Sequence, residues 1–198
     1  RQDVDELSVI YRRRGSAYLK TSRAAQAVAD FSEAIRLKPK YALAYHERGQ
    51  AVLALGDREQ ALADYNSALA NDPQYWPALV ARGYLRLIAG NNDGAISDYS
   101  RAIEIEPDNA IAFNNRGLAW RRKGKSEDAL ADYSIAIRLD PRYALAYANR
   151  AHVYESKGDK ERARTDFTLA LNFDPTLPSA AAGLKRVGAE KIVLAEAE

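Results

Sequence analysis

Side chains able to do acid–base, nucleophilic or metal chemistry are few and scattered in this chain. His46 and His152 are the two histidines, about a hundred residues apart, and there is no cysteine. That spacing builds neither a metal-ligand set nor a catalytic triad. Without cysteine there is no thiolate nucleophile, no Cys-ligated zinc and no disulfide, and the redox compartment stays open. Glycines occur singly, with no Gly-rich loop to cradle a phosphate. These residues predict no enzyme, no cofactor and no metal site.

Charged residues are numerous and ordered. Arg14, Arg48, Arg82, Arg116 and Arg150 recur every 34 residues, as do Asp30, Asp64, Asp98, Asp132 and Asp166. One Arg and one Asp per period either form a ladder that binds anions or neutralise each other and fix helix register. The second arrangement predicts carboxylate contacts for Arg48, Arg82 and Arg116. Asn115 and Asn149 also share a column, and an amide can donate to and accept from a peptide backbone.

The same 34-residue step runs through the elements that must position these groups. Pro39, Pro73, Pro107, Pro141 and Pro175 are equally spaced, as are columns of small residues such as Ala27, Ala61, Ala95, Ala129 and Ala163. Phe31, Tyr65, Tyr99, Tyr133 and Phe167 form an aromatic column. Repeats of this length are supersecondary units that bury their apolar faces only by stacking. Each period reads as two helices. In 110–143 the first ends near Gly124 and the second runs from about Ser126 to Leu139, where Asp140-Pro141 stops it. Alanine, 37 of 198 residues, favours helix and close helix approach. The expected fold is all-α, with frames 8–41, 42–75, 76–109, 110–143 and 144–177. Residues 1–7 make a short acidic lead-in and 178–198 a closing helix and tail, with Ala181, Leu184, Val187, Ile192 and Leu194 on its apolar face.

Phe113, Arg116-Gly117, Trp120, Ala129, Tyr133 and Pro141 resemble the signature of the tetratricopeptide repeat family. The resemblance covers residues 8–177 in five copies, with Arg where the family usually has Leu. It implies an α-solenoid, a right-handed superhelix of antiparallel helix pairs, whose first helices line a concave ligand-binding surface. Arg12 and Arg13 would then face the groove from the first repeat, and His46 and Gln50 from the second. Val80, Tyr84 and Leu87 would follow from the third. The fourth would offer Asn114, Asn115, Leu118, Arg121 and Arg122, and the fifth Asn149 and His152. Leu87, Ile88 and Leu118 either join an exposed apolar strip or pack between helices. The asparagine pair resembles the backbone-clamping ladder of O-linked N-acetylglucosamine transferase repeats; Arg13, Glu47 and Ala81 interrupt it.

Composition narrows the partners. With 29 basic and 27 acidic residues the net charge is +2, so general attraction to nucleic acid or anionic lipid is not implied. Frame one holds eight basic and two acidic residues, while frames two and three are net −3 and −2. That alternation opposes continuous phosphate tracking. The longest apolar run, Tyr143–Ala148, is far short of the ~18 residues of a membrane span. A non-catalytic scaffold binding a peptide or protein segment is expected. The alternatives are a regulatory or targeting module of a larger enzyme and, less in keeping with the charges, an RNA-binding array. Self-association through Trp76 is open. Without any Met, Arg1 is no translation start, and a piece of a longer polypeptide is expected.

Overall fold

A computed structural model describes residues 2–188. Eleven helices and no strand occur among them. They divide into two compact units, one up to residue 105 and one from residue 106.

The first unit contains three helix pairs: α1 (Gln2–Lys20) with α2 (Ala24–Leu37), α3 (Ala42–Ala54) with α4 (Arg58–Asn71), and α5 (Trp76–Ile88) with α6 (Asn92–Ile105). Residues 2–7, expected as a separate lead-in, are helical and continuous with the first repeat. The second unit contains α7 (Ala110–Arg122) with α8 (Ser126–Leu139), α9 (Ala144–Ser156) with α10 (Lys160–Phe173), and the single helix α11 (Pro178–Gly188). Both units are stretches of α-solenoid built from helix hairpins. Of the apolar residues expected in the closing helix, Val187 is buried and Ala181 exposed. Ile192 and Leu194 lie outside the described residues.

Local chemistry explains the boundaries. Within four pairs the turn falls on Gly56, Gly90, Gly124 or Gly158, with φ between 74° and 91°. Ser22 takes φ 59° at the same place in the first pair, a conformation that costs an L-residue energy. Second helices end where Asp72, Asp140 and Asp174 turn extended ahead of proline, as the ring requires. Each of these carboxylates also accepts a backbone N–H two residues on.

Inside a pair, small residues and aromatics interlock. A Cβ on Gly49 would lie 2.5 Å from the Tyr65 ring, and one on Gly83 or Gly117 would lie 2.8 Å from Tyr99 or Tyr133. Those rings are buried, each stabilising its pair by roughly 2–3 kcal/mol. Between pairs, Ala44 of α3 packs on Ala34 and Ile35 of α2. The alanine column thus lets the next pair approach.

Candidate functional site

The arginine and aspartate columns meet one to one. Arg14 bonds Asp30 through Nε and Nη2, both at 2.7 Å. Arg48 holds Asp64 at 3.0 and 2.6 Å, and Arg82 holds Asp98 at 3.0 and 2.7 Å. Arg116–Asp132 and Arg150–Asp166 repeat the two-pronged contact. All five aspartates are buried. The guanidiniums are committed to carboxylates within their own pairs, so the anion-binding ladder is not formed. These pairs set helix register.

In the first unit the predicted groove residues divide. Tyr84 is 48% exposed and Gln50 is exposed, whereas Val80 is half-buried. Tyr84 and Ile88 stand four residues apart on one face of α5. Together with Leu53 they line a depression of about 520 Å³ whose other wall is Gly56, Asp57, Arg58 and Glu59. The matching place one pair earlier, about 530 Å³, has Leu19, Ala54 and Leu55 in its wall and no aromatic. Asp57, Arg58 and Glu59 were not foreseen. The positive-φ Gly56 was the available signal, because such a turn brings the start of α4 back beside the end of α3.

Three of the predicted groove residues are buried or engaged within this unit. Leu87 is only 1% exposed; at about 100° of helical rotation per residue it is turned inward from the Tyr84–Ile88 face. His46 is 7% exposed, with ring centroids 5.7 Å from Tyr65 and 5.4 Å from Tyr75. Burial lowers its pKa to about 4, and its Nδ1 has no hydrogen-bond partner. It is a neutral packing residue. Arg12 donates to Glu47 at 3.1 Å, which neutralises it within the unit, while Arg13 is exposed.

In the second unit Asn114 is 3% exposed. Its Oδ1 accepts from Asn149 at 2.9 Å, and its amide donates to Asn115 at 3.1 Å. Both rungs of the expected Asn115–Asn149 ladder therefore bond to Asn114, a buried strut: Asn149 donates to it and Asn115 accepts from it. Asn115, Leu118 and Arg121 are half-buried and Arg122 is exposed. Arg121 lies near enough to His152 to favour its neutral form, adding to burial, which is the largest cause of its lowered pKa. His152 also contacts Glu155 at 3.3 Å. Arg186 of α11 grips that carboxylate at 2.6 and 2.8 Å, and this contact holds the Glu155 pKa below its ordinary value. Among the described residues no three His, Asp or Glu side chains converge as metal ligands. No described helix is long and apolar enough to cross a membrane.

The helix pairs, their interlocked small and aromatic columns and the closing prolines define a helical-repeat protein. The TPR-repeat family matches residues 15–56, 83–124 and 119–158, and the tetratricopeptide-repeat family matches 42–75 and 144–177. The chain belongs to the tetratricopeptide repeat (TPR) family. No curated protein matches it in sequence. Solved structures share its fold. PilF of Pseudomonas aeruginosa superposes with a TM-score of 0.86 at 19% identity, over 94% of this chain and 85% of PilF. PilW, a type IV pilus biogenesis factor, gives 0.82 at 19% identity over 91% of this chain and 85% of its own. YrrB, a TPR protein with an unusual peptide-binding site, gives 0.72 at 20% identity over 88% and 90%. TPR proteins are in general protein-interaction modules.

Proposed function

We propose that this chain is a non-catalytic interaction module that holds a peptide segment on the inner face of its first unit. The observation that carries this is the depression where Tyr84 and Ile88 stay exposed beside Leu53. Exposed apolar side chains gathered within a polar rim favour association. Tyrosine is also a residue type that anchors binding. The rim carries Asp57 and Glu59 with one arginine, Arg58, and frames two and three are net acidic. The matching ligand has an aromatic or aliphatic side chain next to a basic residue. The peptide-binding site reported for YrrB is consistent with a peptide ligand on such a fold. Binding of this kind is transient, about micromolar.

Random-peptide panning on the chain, run beside a Tyr84→Ala/Ile88→Ala variant, tests the proposal. Enrichment of an apolar–basic consensus that the variant loses supports it. No enrichment, or equal enrichment by the variant, defeats it.

A further inference from the structure

The positions that build the depression of the first unit recur two repeats further on with other residue types. Arg121 stands where Leu53 stands, His152 where Tyr84 stands and Ser156 where Ile88 stands. The rim changes as well. Lys125 takes the place of Asp57, while Glu127, in the place of Glu59, is held by Lys157. The same repeat positions are apolar with an acidic rim in the first unit and basic in the second.

Arg121 interrupts a packing column. Leu19, Leu53 and Leu87 precede it at 34-residue steps, and a leucine there needs no polar partner. A half-buried guanidinium does. Arg48, Arg82, Arg86, Arg116 and Arg150 are half-buried, and each holds a buried aspartate. Arg12 holds Glu47, and half-buried Arg164 donates to the Val187 carbonyl. Arg121 is half-buried too, yet it has no acceptor among the described residues.

A second donor beside it also lacks one. The Tyr133 ring packs under Gly117, one turn before Arg121, and its buried hydroxyl has no partner. Burial raises the pKa of that hydroxyl, and the Arg121 charge opposes the rise. The nearby carboxylate of Glu155 is already engaged: Arg186 grips both of its oxygens and His152 touches one.

We propose that this part of the second unit is a carboxylate-binding site, in which Arg121 takes an acidic side chain of a peptide segment. One uncommitted guanidinium matches one negative charge, and its planar fork matches two carboxylate oxygens. A nucleic-acid strand fits less well, because it needs successive cations along its phosphates and Glu155 stands beside this one. The site does not depend on the peptide site of the first unit.

The test is an NMR titration of the whole chain with an acetylated, amidated Gly–Glu repeat peptide, read at the Arg121 Nε–Hε resonance. Saturation at about millimolar peptide is expected for one such contact. The same peptide with Gln for Glu should leave the resonance in place. Arg121→Leu, read at His152, should weaken binding about tenfold or more. Leucine is what this column holds in three other repeats, so that variant should melt no lower than the parent.

His152 gives an independent readout. Arg121 from α7, Phe167 from α10, Arg186 from α11 and Glu155 on its own helix surround it. Burial lowers its pKa most, and the Arg121 charge lowers it further. A carboxylate on Arg121 cancels that second effect, so the Glu peptide should raise the His152 pKa. The variant Glu190→Gln/Glu196→Gln/Glu198→Gln, at positions outside the described residues, separates two sources of the carboxylate. Without peptide, the Arg121 resonance stays in place if another molecule supplies the group and moves if this chain does. Four results overturn the proposal: no saturable shift at Arg121 in the parent or that variant; equal responses to the Glu and Gln peptides; Glu-peptide binding that survives Arg121→Leu; or tighter binding of an oligothymidylate at the same resonance, which assigns the site to nucleic acid.

Discussion

Asn149 donates to Oδ1 of Asn114 at 2.9 Å, across the same 35-residue step that joins Arg12 to Glu47 in the first unit. In both units a residue on the first helix of one pair reaches the residue one place further along in the next. A side chain so engaged holds two pairs in register and has less hydrogen-bonding capacity left for a ligand.

Asn149→Ala should therefore act on stability. It strips the buried Asn114 carbonyl of its donor, a loss of about 1–2 kcal/mol, visible as a lower urea midpoint. Asn115→Ala removes the oxygen that accepts from the buried Asn114 amide and should cost a similar amount.

Arg48 and Asp64 form a pair whose carboxylate is nearly inaccessible. Arg48→Leu leaves that carboxylate without its counter-ion and should destabilise by about 3–5 kcal/mol. The double variant Arg48→Leu/Asp64→Leu should recover more than half of the loss, because two apolar residues need no counter-ion. Chemical denaturation of the parent, the single and the double variant measures the difference. Equal losses in both would show that packing and not charge governs this contact.

Two small-residue substitutions should move stability in opposite directions. Gly49→Ala drives a methyl against the Tyr65 ring and should cost about 1–3 kcal/mol. Ser22→Gly relieves the positive φ at the first turn and should stabilise by up to about 1 kcal/mol. Thermal melts of the two variants against the parent report both signs.

His46 predicts acid sensitivity. The unfolded chain protonates this imidazole near pH 6.5, whereas burial keeps the folded one neutral until about pH 4. Its contribution is unchanged above about pH 7. It falls as pH drops through that window, and is about 3 kcal/mol lower once both states are protonated. His46→Leu should flatten this part of the stability profile measured by denaturation between pH 7 and pH 4. A variant profile parallel to the parent's would contradict it.

The fold was legible because its determinants are periodic. Proline at the end of a second helix, glycine at the turn and an aromatic against a small residue each repeat every 34 residues, so one pair explains the rest. The Arg48–Asp64 contact was legible for the same reason. Groove residues were less so, because exposure depends on where each side chain falls around its helix. Tyr84 and Leu87 are three residues apart, yet one is exposed and the other buried. His46 looked like a polar groove residue because its ring partners, Tyr65 and Tyr75, lie 19 and 29 positions away in sequence.

The proposed peptide site of the first unit is formed by Tyr84, Ile88 and Leu53. Its most direct test is a ¹⁵N-resolved NMR titration of the chain with an apolar–basic peptide obtained by panning. The largest shift changes should cluster at Leu53, Asp57, Tyr84 and Ile88 and vanish in Tyr84→Ala. Changes confined to the second unit, or unaffected by Tyr84→Ala, would contradict it.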